Sequence, residues 1–572
     1  MKNHFKTLTT FCFSVTLSLI SFCGNAQSSA DFLPENTFLA FSVNGQNLQN
    51  KMSLESFQNL DFYKELRKEL EREGMSGNMS DIGIDWAKEL MIFAVAEGDY
   101  MTGGMILPIS GDNLVKLMSL RETEEQNGIT FQQRSREFIG FTDSYLIFLE
   151  TETTAPYPGW EATEEDYAAY DKIREEAKAY TKNFGLNLFK TKSSPLSKSK
   201  NFISSYNKNA DANMYLSVNS ELANQYMNVT GMAGAFLMGS TGSTNPLAEL
   251  TAGDQYWSSQ LFFDEDQITV ESEFFPNEKN MKIQKELSKS KLNSKLLNYV
   301  SQDDLLGIYN VNLNSEAALM QTPEYFSPLL NSMLPIDEAG RKIASLITSF
   351  IDEESIAEMV NGNLIVAVSN LSIKETEFIS YNYDDDFNMT ESLEKGSELI
   401  PDILGMMQSS NSENLNHILE LASIESPLTQ KENYFIIPAS EGPNFAVYLF
   451  TTEDGLFFTN NKEQMQLVMS GKGYQNIDKE LAKDMKKNTQ TLFVNTNMIF
   501  SSIPTAVDNQ KFEDKALVYL RDNTSSMTIS QEKPKGKSVK QSMIIDIPEK
   551  GHENSLQYLF NMINDIYKIA EN

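Results

Sequence analysis

Apolar positions in this chain recur in short runs bounded by Gly, Pro, Asn and Asp, the pattern of strands separated by turns. Phe38–Leu48 (FLAFSVNGQNL) sets the type: an apolar run closes on Val-Asn, and a leucine follows four residues after the asparagine. Phe38 and Ala40 alternate with Leu39 and Phe41, so both faces are apolar, as in a strand covered on both sides. The outline returns as MYLSVNSELA at Met214–Ala223, LGIYNVNLNSEAAL at Leu306–Leu319 and TLFVNTNMIF at Thr491–Phe500.

Further strands are expected at Glu89–Ala96, Met101–Ile109, Ile129–Phe131, Phe138–Phe141 and Tyr145–Leu149, then at Tyr256–Phe263 and Gln267–Phe275. Asn363–Leu371, Phe378–Phe387, a hairpin within Phe445–Asn461, and the runs ALVYLRD, SMTISQE and QSMIIDI continue the series. Helical spacing with capping residues predicts helices from Asp61 to a stop at Gly74, over Glu164–Asn183 behind Thr163, and over Asn280–Val300. Others are expected at Asp112–Leu120, Asp337–Phe350, Ser397–Met407, Asn414–Ala422, Asn476–Lys487 and Glu553–Ile569.

The repeated asparagines fall at 44, 219, 312 and 495. The order of elements around Asn44 is matched around Asn312, and that around Asn219 around Asn495. This predicts an α+β protein of two tandem duplicated halves, 27–300 and 301–572, with 151–211 as a helical insertion. Each half is expected to be a large, mainly antiparallel sheet with helices packed on a face. The short period of a solenoid is absent.

Leu33-Pro34 before the first strand, the Val-Asn-x-x-x-Leu outline, the strand entry Asn361-Gly-Asn-Leu-Ile-Val-Ala and the strand end Tyr383-Asp-Asp-Asp-Phe387 give the chain a resemblance. It resembles a widespread group of exported Bacteroidota proteins that form a domain family of unknown function. The resemblance implies an envelope location and an internally duplicated α+β fold, and it implies no activity and no site residues.

Composition adds location and excludes some chemistry. Lys2 and Lys6, an apolar segment from Leu8 to Phe22, and Gly24 and Ala26 at the −3 and −1 places form a secretory signal peptide over 1–26, cleaved before Gln27. Lipidation at Cys23 is the rival, disfavoured by the bulky Phe22 before it. Cys12 and Cys23 both lie in that leader. A chain beginning at Gln27 therefore has no disulfide, thiolate zinc site or cysteine nucleophile. A formal charge of −32 argues against nucleic acid and anionic membrane surfaces as partners. Past the leader, no run reaches the length and apolarity of a membrane helix.

Chemistry-bearing constellations are sparse. His417 and His552 have no HxH or HxxxH partner, no GxSxG elbow accompanies them, and no Walker or GxGxxG loop is present. Asp384, Asp385 and Asp386 crowd three carboxylates at a strand end and are a weak calcium candidate, although they lack the EF-hand glycine and terminal glutamate. Tyr157 and Trp160, with Tyr167, Tyr170 and Tyr180 on the following helix, could face a glycan or a protein. Met232, Phe236, Leu237 and Met238 lie in Val229–Pro246, a glycine-rich, uncharged stretch suited to hydrophobic partners. The expectation is a non-catalytic exported envelope protein in the periplasm or at the outer membrane. It would bind an envelope protein, a glycan or a hydrophobic ligand, without a cofactor. Two alternatives stand beside it: a carboxylate-based hydrolase of envelope polysaccharide, and a periplasmic carrier of hydrophobic molecules.

Overall fold

The computed structural model describes residues 29–72, 78–81, 83–86, 88–111, 123–155, 162–190, 194–217, 255–321, 359–383, 389–425, 428–437, 446–504, 512–548 and 551–571. The chain is α+β and forms two compact units: Met1–Asn277 with Glu549–Asn572, and Glu278–Pro548. The expected helices Asp112–Leu120 and Asp337–Phe350 lie outside the described residues.

The first unit holds strands β1 (Thr37–Val43), β2 (Leu90–Glu97), β3 (Tyr100–Pro108), β4 (Glu124–Gln126), β5 (Ile129–Arg134), β6 (Glu137–Phe141), β7 (Tyr145–Thr153), β8 (Ala212–Ser217), β9 (Tyr256–Phe263) and β10 (Gln267–Phe275). They pair antiparallel in the order β4-β5-β6-β7-β3-β2-β1-β8-β9-β10. Both faces of this sheet are covered, as the two-sided apolar pattern requires. Ala40, Met91, Phe93, Ile106, Ile147, Phe131 and Phe138 share one cluster, while Leu90, Leu107, Ile109, Ile139 and Leu146 form another.

The helix Glu164–Leu188 supplies Phe184 and Leu188 to the first cluster. Thr163 and Asp166 close its start as a reciprocal capping box. Gly185 lets this helix ride directly on a ring, since a Cβ there would come within 2.5 Å of Phe138. The helix Ser555–Glu571 also belongs to this unit. It buries Leu556, Tyr558 and Phe560, and Phe560 meets Phe57 edge to face at 5.0 Å.

The second unit holds β11 (Leu305–Asn312), β12 (Asn363–Tyr383), β13 (Met389–Gln408), β14 (Thr429–Gln430), β15 (Phe435–Ile437), β16 (Val447–Thr452), β17 (Gly455–Thr459), β18 (Gln490–Asn495), β19 (Ser526–Gln531) and β20 (Val539–Asp546). Their antiparallel order is β14-β15-β16-β17-β13-β12-β11-β18-β19-β20. Position by position this is the order of the first unit. Registers agree too. The β1–β2 ladder breaks between Thr37 and Leu39, and the β11–β12 ladder between Leu305 and Gly307, at the same offset that separates Asn44 from Asn312.

Register also corrects one reading of the repeat. Leu39 faces Leu216 and Gly307 faces Val494, so Ser217 takes the place of Asn495. The sequence had matched Asn495 to Asn219, two residues away. A two-residue slip keeps every side chain on its own face, so hydrophobic patterning is blind to it.

Three elements differ from the sequence expectation. Ser397–Met407, expected helical, lies in β13. Pro401 would disrupt a helix interior at a cost of about 3 kcal/mol, whereas in the strand Leu404 and Met406 alternate into the core around Gly405. ALVYLRD, expected as a strand, lies in the helix Phe512–Asn523. A seven-residue apolar run has no decisive period; the acids Glu513 and Asp514 at its start and Arg521 at its end suit a helix dipole. Arg521 ties this helix down by donating from Nε to the Phe500 carbonyl at 2.8 Å. Finally, the helix expected over Asn280–Val300 stops at Leu287, with a single 3-10 turn at Leu296–Tyr299.

β12 and β13 run to 21 and 20 residues, against 8 and 9 for β2 and β3, their counterparts in strand order. From Leu371↔Pro401 to Tyr383↔Met389 the two strands pair with each other, beyond the last register pairs they make with β11 and β17. At about 3.4 Å per residue this ribbon is roughly 40 Å long.

Candidate functional site

Asp384, Asp385 and Asp386, Met232, Phe236, Leu237 and Met238, and Tyr157 and Trp160 all lie outside the described residues. The aromatic helix behind Trp160 is described. Tyr180 turns inward, stacking on Tyr100 with ring centroids 4.5 Å apart and donating to Glu97 Oε2 at 3.0 Å. Burial and the Glu97 carboxylate hold its phenol well above the usual tyrosine range. Tyr167 remains exposed on the same helix.

The histidines are far apart in chemistry as well as in sequence. His417 is exposed, with Nδ1 3.3 Å from Glu420 Oε2. His552 sits edge-on to Tyr558 with centroids 5.3 Å apart, and burial lowers its pKa. Among the described residues, no three His, Cys, Asp or Glu side chains gather as a metal set would.

Polar groups do converge where the central strands end, and the reason is local. In β1 the Val-Asn step ends the strand and starts a helix: Asn44 caps Gly45–Lys51, its side chain accepting from the Asn47 amide. Asn44 Nδ2 donates to the Lys208 carbonyl at 2.8 Å and Asn47 Nδ2 to the Ala210 carbonyl at 2.8 Å, clamping the entry to β8. One helical turn on, Lys51 Nζ reaches Asp211 Oδ2 at 2.5 Å. The same oxygen accepts from the Phe263 amide at 2.6 Å. Asp211 is fully buried, and burial raises its pKa against the opposing pull of Lys51. Ser42 Oγ and Asp211 Oδ1, both buried, have no hydrogen-bond partner among the described residues.

The corresponding strand end of the second unit is neutral. Asn310 and Asn312 occupy alternate positions of β11 and are fully buried. Asn312 Nδ2 donates to the Met485 and Asn488 carbonyls, each at 2.8 Å, and Asn310 Nδ2 to Met485 at 3.4 Å. Thr491 lies opposite Asn310 on β18, and Asn363 opposite Asn312 on β12. Sequence reasoning used Asn312 only as a repeat marker. The available signal was YNVN itself: asparagines at i and i+2 share one strand face with Ile308, a core residue.

One carboxylate pair meets part of the requirement for a hydrolase. Glu137 of β6 lies opposite Glu150 of β7. Burial, and then the Glu150 charge, raise the Glu137 pKa. A carboxyl whose folded pKa exceeds its unfolded one penalises the fold above that pKa, and the penalty fades as pH falls to the unfolded value. Glu137→Gln should therefore raise the unfolding midpoint by about 1–2 °C at pH 7 and by nothing near pH 4. A scan in which the variant gains equally at both pH values would refute this account.

The shallow recess lined by Ser42, Ser205, Tyr206, Asn213 and neighbouring apolar groups is too tight to admit a water molecule. No helix of the described residues is long and apolar enough to cross a membrane. Compared with known proteins, the chain matches no family model, no curated protein and no solved structure.

Proposed function

We propose that this chain is an exported, internally duplicated binding module or scaffold of the cell envelope, and that the β12–β13 ribbon is its contact element. The observation that carries the reading is the contrast between the units. The ten strands of each unit share order and register, which supports descent from one duplicated unit. Against that common plan, the hairpin of the second unit is lengthened far past its sheet. Among the described residues no third strand pairs with this ribbon, and such a strand edge is a natural docking element, because main-chain hydrogen bonding gives affinity without a catalytic centre. Ile373 and Leu399, opposite one another near the base of the ribbon, and Met389 near its far end are all exposed apolar residues.

Export and membership of the Bacteroidota family that the sequence resembles are part of the same proposal, supported by the Lys2–Ala26 leader pattern. The protein recovered from its native envelope should begin at Gln27; a lipid-modified Cys23 at its start would overturn that processing route.

The binding reading is tested by shortening the ribbon so that Ile373 and Leu399 are joined by an Asn-Gly turn, then photo-crosslinking in native envelopes. The shortened protein should unfold at the same temperature as the parent and lose the species the parent captures. Unchanged capture would refute the assignment. The hydrolase alternative draws on Glu137 and Glu150 alone; loss of envelope-polysaccharide cleavage on Glu137→Gln would favour it.

A further inference from the structure

We propose that the second unit holds a monovalent metal cation, K⁺ or Na⁺, at the end of β11, among the side chains of Asn310, Asn312, Asn363, Asn488 and Thr491. These five residues are each at most 3% exposed. Each has a side-chain oxygen with no hydrogen-bond partner among the described residues: Oδ1 in the four asparagines and Oγ1 in Thr491. They are neighbours by construction. Asn310 and Asn312 share a face of β11, Thr491 stands directly opposite Asn310, and Asn363 stands directly opposite Asn312. Directly opposed residues of adjacent strands hold their Cβ atoms about 5 Å apart. Asn488 joins through its own carbonyl, which accepts from Asn312 Nδ2.

The amide nitrogens of Asn310, Asn312 and Asn363 are spent on other acceptors. Asn310 and Asn312 give theirs to backbone carbonyls, and Asn363 gives its own to Gln408 Oε1 at 2.7 Å and Ser290 Oγ at 3.4 Å. The four amide oxygens left over only accept and the Thr491 hydroxyl can accept, so a ligand shared by all five is a hydrogen-bond donor or a cation.

Two further features select a cation. The helix Lys479–Lys487 ends at this place, with Asn488 as its C-cap and the Met485 carbonyl turned to the asparagines. A helix C-terminus carries about half a negative charge. In the first unit, moreover, the matching strand end already holds a cation, the Lys51 ammonium on Asp211. The helix Ser315–Gln321 that follows β11 reads SEAALMQ and has no lysine, and Thr489 stands where Asp211 does. The five candidate oxygens include no carboxylate, which disfavours Ca²⁺ and Mg²⁺ and suits a singly charged ion held by neutral dipoles.

The experiment uses the full chain. Thermal unfolding is followed in KCl, NaCl and choline chloride at matched ionic strength, and crystals grown in KCl are soaked in thallous salt. The midpoint should rise by several degrees and saturably in K⁺ or Na⁺ over choline, with an anomalous thallium peak among the five oxygens. Thr491→Val removes one ligand with little change of shape and should weaken the cation response several-fold while leaving the choline midpoint in place. Identical midpoints in all three salts, or ordered water without a thallium peak, would overturn the proposal. The thallium result decides even if the variant fails to fold.

Discussion

Removing the helix Ser555–Glu571 will unfold the first unit while the second keeps its protected core. That helix follows the last strand of the second unit in sequence, yet it belongs to the compact unit formed by Met1–Asn277. Its anchors are specific. Leu556 is fully buried, Phe560 packs on Phe57 and Phe62, and Asn564 Oδ1 accepts from the Asp61 amide at 2.5 Å. Asn554 Nδ2 and Gln557 Nε2 both donate to the Lys51 carbonyl, at 2.8 and 2.9 Å. Large-to-small changes at such sites cost about 2–5 kcal/mol for leucine and about 3–5 kcal/mol for phenylalanine. Leu556→Ala and Phe560→Ala should each bring about part of the loss. Hydrogen exchange resolved by segment is the measurement: amides of β1, β8 and β9 should lose protection in these variants, and those of β11, β12 and β18 should not. Equal loss in both sets would show that the helix does not act on the first unit alone.

Asp211→Ala should cost about 3–5 kcal/mol, because it strands Lys51 and leaves the Phe263 amide without its acceptor. Lys51→Met should cost a comparable amount at pH 7, since it leaves a carboxylate buried with a raised pKa and no cation. The signs differ with pH. Losing Lys51 raises the Asp211 pKa further, so proton uptake neutralises the stranded group, and the Lys51→Met deficit should shrink as pH falls toward 5. No such recovery is open to Asp211→Ala, which has no carboxyl to protonate. The double variant Lys51→Met with Asp211→Asn keeps an acceptor for Phe263 and removes both charges. It should fold within about 1–2 kcal/mol of the parent, as replacement of a whole buried pair often does. Denaturant titration of the parent, Lys51→Met, Asp211→Asn and the double variant gives the coupling. Additive losses, with the double variant as unstable as the sum, would show the pair to be incidental.

The pattern of strand, asparagine and helix was legible in the amino-acid order at Asn44 and Asn495, because each carries its own capping chemistry and accepts from an amide three residues on. Tyr256–Phe263 and Gln267–Phe275 were legible residue for residue, with an acidic turn between two apolar runs. The strand Ser397–Met407 and the helix Ala516–Asp522 were not. Short apolar runs fit either period, and the neighbours that decide are far away in sequence, such as the partner strand of Leu404 and the carbonyl bound by Arg521.

By itself, then, the order of residues determined an α+β chain with sheets apolar on both faces, because alternation and capping act within a few residues. Only the tertiary structure decided the register that puts Ser217 opposite Tyr256, the transfer of the last helix to the first unit, and the meeting of Lys51 with Asp211. Each of these joins residues too distant for local propensity to couple, and each is fixed by which buried groups can satisfy one another once the strands are paired.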